Sequence, residues 1–273
     1  HDFKFKLDEF AVYNVYFTLT DKKSGEAVEM TTRISRLNGP PDGVFNEQMG
    51  LNNHFQDGRG TDRYDEVLDM FADAGFKHIR EACNWDWFER TPGVYEFPYP
   101  HNLFIPKIYE NGQKNFVLVG TKTWLYNQED IPVSDSEIGH WRDYVENLAI
   151  QHKQYGNKDF EIGNELNLAY NTGRFTAEQY VRLLKEAYPV IKKHIPDARV
   201  YAFCTANVQP YKFIRECLDL GAADYFDGIS IHPYQVLGRP EETEYFNDIK
   251  GIKDLMKEYG IEDKSLVYSE YGW

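Results

Sequence analysis

Cysteine is scarce in this chain: Cys83, Cys204 and Cys217 are the only three in 273 residues. They are too few and too far apart for a disulfide scaffold or a metal-binding pair, and they read as buried free thiols. Positive charge is also in the minority, with 30 Lys and Arg against 44 Asp and Glu and a formal net charge of −14. That argues against nucleic acid or an anionic membrane as a partner, because phosphate binding needs a basic footprint. No apolar run approaches the roughly 18 residues of a membrane span. No Gly-x-Gly-x-x-Gly follows a strand, and Gly58-Arg59-Gly60 lacks the spacing, so a dinucleotide site is not indicated. There is no His-x-His, no His-Glu-x-x-His and no Gly-x-Ser-x-Gly elbow. The expectation is therefore no cofactor and no metal. Nor is there a signal peptide: the chain opens at His1, without Met, in a polar strand-like stretch, which reads as a trimmed or processed start. Nothing in the sequence specifies an oligomeric state.

What is present is aromatic and apolar residue, 16% and 42% of the chain, enough for one large domain. Residues 1–37 read as β-structure. Tyr13, Val15, Phe17 and Leu19 alternate with polar or small residues, a turn follows at Asp21–Gly25, and Val28 and Met30 resume the alternation. This β-rich segment cannot bury a face alone and is expected to belong to a small β-sandwich. Residues 38–46, with Asn38-Gly39-Pro40-Pro41-Asp42-Gly43, form a linker by composition.

From residue 47 onward, strands and helices alternate. Short apolar runs fall at Met49–Asn52, His78–Ala82, Phe116–Gly120, Phe160–Gly163, Val200–Phe203, Gly228–His232 and Leu266–Ser269. Between them, Tyr64, Val67, Leu68 and Phe71 recur with helical period, as do Trp141, Tyr144, Val145 and Leu148. Thr176 with Gln179 makes a capping box, Pro189 is expected to kink or end the helix it opens, and Gly260 closes the last helix. The stretch of about 83–114 is the least helical and the longest loop-like one. Seven βα-type strands imply a parallel sheet covered by helices. Polar residues gather where strands end: Asn53 and His54, Arg80, Thr121 and Lys122, Asn164 and Glu165, His232, and Glu270. Barrel sites are built at that rim, so residues 47–273 are expected to form a (β/α)8 TIM barrel lacking its eighth strand, a piece of a longer protein.

Glu165 and Glu270 each stand where a strand opens into a loop, and two carboxyls facing each other across a barrel mouth suit glycosidic bond cleavage. Asn164-Glu165 after the fourth strand and Ser269-Glu270-Tyr271-Gly272 after the seventh resemble the signatures of glycoside hydrolase clan A. Within the clan, family 39 and related cellulase-like barrels look closest. Gly50-Leu51-Asn52-Asn53-His54-Phe55 resembles their first strand. Phe76–Arg80, then Trp85, Trp87, Glu89 and Pro92–Phe97, resemble their second-strand region. Asp227–Tyr234 resembles their sixth strand. The resemblance implies a retaining O-glycosidase cleaving β-linkages of a polysaccharide or oligosaccharide, with Glu165 as acid/base and Glu270 as nucleophile. It further implies that Asn164 bonds the sugar 2-hydroxyl, that His232 and Tyr234 orient the nucleophile or line the −1 subsite, and that Arg80 keeps Glu270 ionised. An ion pair of Arg80 with Glu161 is the alternative for that side chain.

Asn53, His54, Trp124 and Trp273 are candidates for substrate contact, Trp124 and Trp273 as sugar platforms. Where the family usually carries Trp-Asn-Glu-Pro, this chain has Gly163 and Leu166 at the outer positions, which removes an aromatic wall. The rival readings are a non-catalytic carbohydrate-binding barrel and a transglycosylase using the same carboxylates. The expected partner is a carbohydrate, and the expected location, inferred from such a substrate, is extracellular or periplasmic.

Overall fold

The computed structural model describes Lys6, Glu9 and residues 11–36, 44–58, 61–127, 131–207, 210–234, 238–239, 242–243 and 245–271. The linker at 38–43 and Trp273 lie outside them. The N-terminal segment is an antiparallel hairpin of β1 (Ala11–Thr20) and β2 (Ala27–Arg36). Its turn is fixed by the Asp21 carboxylate, which accepts from the N–H groups of Lys23 and Ser24 at 2.7 Å each, and by Gly25 at φ 75°. Tyr13, Val15 and Phe17 form its half-buried face, whereas Leu19, Val28 and Met30 of the same alternation are exposed.

The rest is a run of strand and helix: β3 (Asn46–Asn52), α1 (Tyr64–Asp73), β4 (Phe76–Cys83), α2 (Trp85–Phe88), the small hairpin β5 (Glu89–Thr91) and β6 (Val94–Tyr95), α3 (His101–Glu110), β7 (Lys114–Val119), α4 (Asp135–Lys153), β8 (Asp159–Ile162), α5 (Leu166–Asn171), α6 (Ala177–His194), β9 (Arg199–Ala206), α7 (Pro210–Asp219), β10 (Gly228–His232), α8 (Tyr245–Glu258) and β11 (Ser265–Tyr268). The seven parallel strands lie side by side in chain order, from β3 through β4, β7, β8, β9 and β10 to β11. A doubly wound sheet would reverse its order at a switch point. This one never reverses, which is the order of a (β/α)8 barrel; the described residues hold seven of its strands.

Two corrections to the sequence reading concern proline. Of the two expectations for Pro189, an end to the helix is not met: the helix opened by the Thr176–Gln179 capping box runs through Pro189 to His194. Its buried face continues on both sides of the ring, with Leu184 and Ala187 before and Ile191 after, and that burial outweighs one missing N–H. Residues 83–114 are not a long loop either. Pro106 sits inside α3, which buries Phe104, Ile105 and Ile108 against Phe55, Leu68 and Ile79.

Helix aromatics also finish the strand ends. The Trp141 indole donates to Gly120 O at 2.9 Å, and the Tyr144 hydroxyl accepts from Gly120 N–H and donates to Cys83 O. The Tyr180 hydroxyl donates to Ile162 O at 3.1 Å and accepts from Phe203 N–H at 2.5 Å. These rings fill the space between helix and sheet while their polar tips satisfy backbone groups that have left the ladder. The rim of the barrel is thereby held from behind.

Candidate active site

Arg80 on β4, Glu161 on β8 and Ser230 on β10 project into the barrel interior from its second, fourth and sixth strands, the alternate-strand layering of this architecture. Glu161 and Ser230 are fully buried and Arg80 nearly so. The Arg80 guanidinium donates through Nε to Glu161 Oε2 at 2.7 Å and through Nη1 to Asn52 Oδ1 at 3.0 Å and Glu270 Oε1 at 2.8 Å. Its Nη2 donates to Asn164 Oδ1 at 2.9 Å and meets Cys204 Sγ at 3.3 Å. Burial works against its charge, but the carboxylates, Glu161 first, outweigh it and raise its pKa. For Glu161 burial likewise favours the neutral form, yet the Arg80 guanidinium and the hydroxyls of Ser230 and Ser269 hold its carboxyl below the usual range. Catalytic support and an ion pair with Glu161 were the alternatives for Arg80; the guanidinium makes both contacts at once.

Glu165 does not reach the rim by strand alternation. β8 ends at Ile162, Gly163 adopts φ 77°, and Glu165 itself stands at φ 52°, ψ 34° before α5. Its N–H donates to Cys204 O at 2.8 Å. A Cβ on Gly163 would lie 2.7 Å from Leu166 Cδ1, so Leu166 occupies the space beside it, and the two departures from the family pattern are a matched pair. Opposite, β9 carries a bulge. Phe203 and Cys204 have φ of 79° and 43°, and the pairing with β10 shifts there by one residue. The bulge aims the Cys204 carbonyl at Glu165 and its thiol into the cluster. Burial, then Glu161, pushes that thiol well above the ordinary range.

Glu165 Oε1 lies 2.9 Å from His232 Nδ1, and the Tyr234 hydroxyl donates to Glu270 Oε2 at 3.0 Å. Burial and the Glu270 carboxylate push the Tyr234 phenol up. Carboxylate oxygens of Glu165 and Glu270 and a ring nitrogen of His232 lie within 4.8 Å of one another, with both carboxylates about a quarter exposed. These are residue types that could hold a metal ion, as could Glu161, Cys204 and His232. A cation already stands against Glu270, however: the Arg80 guanidinium.

The structure thus brings Arg80, Asn164, Glu165, His232, Tyr234 and Glu270 together. Trp124 is exposed after β7. The Asn53 amide oxygen accepts from Phe55 N–H at 2.9 Å, and His54 is exposed before a short 3-10 turn. The neighbour Asn52 is the residue of that stretch that meets the network, accepting from Arg80 and donating to Ser269 O at 2.8 Å. Sequence reasoning did not place Cys204, Ser230, Ser269 or Asn167 at the site. Asn167, fully buried, pairs with both backbone groups of Ala206 at 3.0 Å and ties the turn after β8 to β9.

No protein-family model matches the sequence, and no curated protein matches it. Solved structures do. A family 39 glycoside hydrolase from Bacteroides cellulosilyticus aligns with a TM-score of 0.72 at 23% identity, over 85% of this chain and 47% of that one. A family 39 β-xylosidase from Caulobacter crescentus aligns at 0.62 and 20%, over 87% and 56%. An endo-β-1,4-mannanase from Thermotoga petrophila aligns at 0.56 and 17%, over 85% and 62%. The chain therefore shares the fold of these glycoside hydrolases and spans about half the length of the first two.

Proposed function

We propose that this chain carries the catalytic site of a retaining β-glycosidase. The observation that carries the reading is the carboxylate pair, with oxygens of Glu165 and Glu270 within 4.8 Å, one flanked by Arg80 and the other by His232. Double displacement needs carboxyls about 5–5.5 Å apart, and a wider gap would admit water between them. Glu270, paired with Arg80, attacks the anomeric carbon while Glu165 gives its proton to the departing glycosidic oxygen. Glu165, now ionised, takes a proton from water, and the water releases the sugar from Glu270 with its configuration retained. Tyr234 and Arg80 donate to different oxygens of Glu270 and fix its plane. The Asn164 amide oxygen is occupied by Arg80, so the nitrogen is the half that meets a sugar hydroxyl. The names of the structural neighbours, a xylosidase and a mannanase among them, favour a β-linked plant or microbial glycan and hence an extracellular or periplasmic site of action.

The test is release of sugar from β-glycans and aryl β-glycosides by the full-length protein. Glu270→Ala should abolish release. Glu165→Ala should lose about 10²–10⁴-fold on unactivated substrates but far less on aryl glycosides whose leaving groups depart without protonation. NMR of the first product should show the retained anomer. Inversion, or equal loss on both substrate classes, would count against these roles, and sugar transfer to an added acceptor would identify a transglycosylase.

A further inference from the structure

Beneath the two carboxylates runs a chain of polar side chains that the reaction scheme above leaves unused. Glu165 Oε1 meets His232 Nδ1 at 2.9 Å, and His232 Nε2 meets Ser269 Oγ at 3.1 Å. Ser269 Oγ meets Ser230 Oγ at 2.6 Å, and Ser230 in turn donates to Glu161 Oε1. His232, Ser230 and Glu161 are all fully buried.

The direction of this chain is set at its far end. Glu161 is ionised against Arg80 and can only accept. The single hydrogen of Ser230 therefore goes to Glu161. Ser269, 2.6 Å from Ser230, must point its own hydrogen at Ser230 or at Glu161, and so away from the imidazole. Its oxygen is left to accept from His232, which puts a hydrogen on Nε2. A lone pair there would also face Glu270 Oε1 at 3.8 Å, whereas an N–H is attracted to it. Among the described residues Cys204 Sγ, 3.2 Å from Nε2, is the competing donor, but it has oxygen acceptors in Glu161 and in Asn164 Oδ1 at 3.6 Å. A neutral His232 with its hydrogen on Nε2 presents a bare Nδ1 to Glu165. The hydrogen in that 2.9 Å contact is then the carboxyl's.

We propose that Ser269 and Ser230, anchored on Glu161, are positioning residues that lock His232 in the Nε2–H tautomer, so that Nδ1 accepts the Glu165 proton and keeps Glu165 ready to act as the acid. The consequence for catalysis rests on the glycosidase reading; the tautomer does not. The charged and titratable groups around the Glu165–His232 pair are Glu161 from β8, Cys204 from β9, Glu270 after β11 and Arg80 from β4, with Tyr234 after β10.

The experiment is 15N NMR of the full-length protein labelled at histidine, with the His232 signals assigned by their loss in His232→Asn. The hydrogen is expected on Nε2 and not on Nδ1 at neutral pH. A hydrogen on Nδ1, or on both nitrogens, overturns the proposal whether or not the protein hydrolyses glycosides. Ser269→Ala should populate the Nδ1–H form. That form donates to Glu165 and favours its anion, so the basic limb of the kcat/KM profile should move down by about one pH unit, roughly tenfold on that limb. Ser230→Ala should act in the same direction, and Ser269→Thr, which keeps the hydroxyl, should restore both tautomer and profile. An unchanged tautomer in folded Ser269→Ala and Ser230→Ala would overturn the assignment. Loss of all activity in Glu270→Ala, measured alongside, tests the glycosidase reading separately.

Discussion

Arg80 meets Glu161, Asn52, Glu270, Asn164 and Cys204 through one planar fork, and a lysine could not reproduce that set. Removing the guanidinium would leave Glu161 ionised, buried and unpaired. Arg80→Met should therefore cost about 3–5 kcal/mol in urea unfolding. Arg80→Lys should recover much of that stability while leaving aryl glycoside turnover depressed, because a point charge cannot hold Glu161 and orient Glu270 together. The two Glu residues and Arg80 were legible in the sequence because long charged side chains at strand ends stand out. Asn52 was not, because its neighbours Asn53 and His54 are as polar and only the curl of the sheet decides which faces Arg80. Ser230 left no mark, while Ser269 stood in the Ser269-Glu270-Tyr271-Gly272 pattern and Cys204 read as a buried free thiol without either pointing to the network. Small polar residues in strands are commonplace, and these gain meaning only from a buried carboxylate and a bulge that no local pattern announces.

The turn from β8 into α5 departs from regular geometry at two residues, Gly163 and Glu165. An alanine at position 163 would meet both the left-handed backbone penalty, about 1–2 kcal/mol, and the Leu166 methyl at 2.7 Å. Gly163→Ala should destabilise accordingly and displace Glu165. In thermal unfolding, Gly163→Ala combined with Leu166→Ala should cost less than the sum of the two changes, by about 0.5–3 kcal/mol. Additive effects would mean that the steric pairing is unimportant. At this scale the sequence was read best where packing and propensity agree. All seven barrel strands fall where apolar runs predicted them, and the Thr176 capping box starts α6. It was read worst at α3 and Pro189, where the depth of the buried face, invisible locally, overrides proline.

Two histidines couple the whole molecule to pH. His152 is fully buried, edge-on to Phe97 and Phe160, with no hydrogen-bond partner for either ring nitrogen among the described residues. Burial, then the nearby His101, lowers its pKa to about 3, and burial lowers that of His101 to about 4. Between those values and the ordinary histidine value of 6.5 the unfolded chain binds protons that the folded one refuses, so stability falls as pH drops below about 6.5. His152→Phe should flatten the dependence of Tm on pH across that window; an unchanged slope would show that His152 is not its source. The parallel order of the sheet was legible from the alternation of strand and helix, but its curvature was not. Among the described residues β3 and β11 are the edges of the sheet, and no ladder joins them. Asn52 nevertheless bonds the Ser269 carbonyl across that seam, next to Glu270. Asn52 thus works as a clasp at the mouth: by holding the carbonyl beside Glu270 it helps to set how far that carboxylate stands from Arg80.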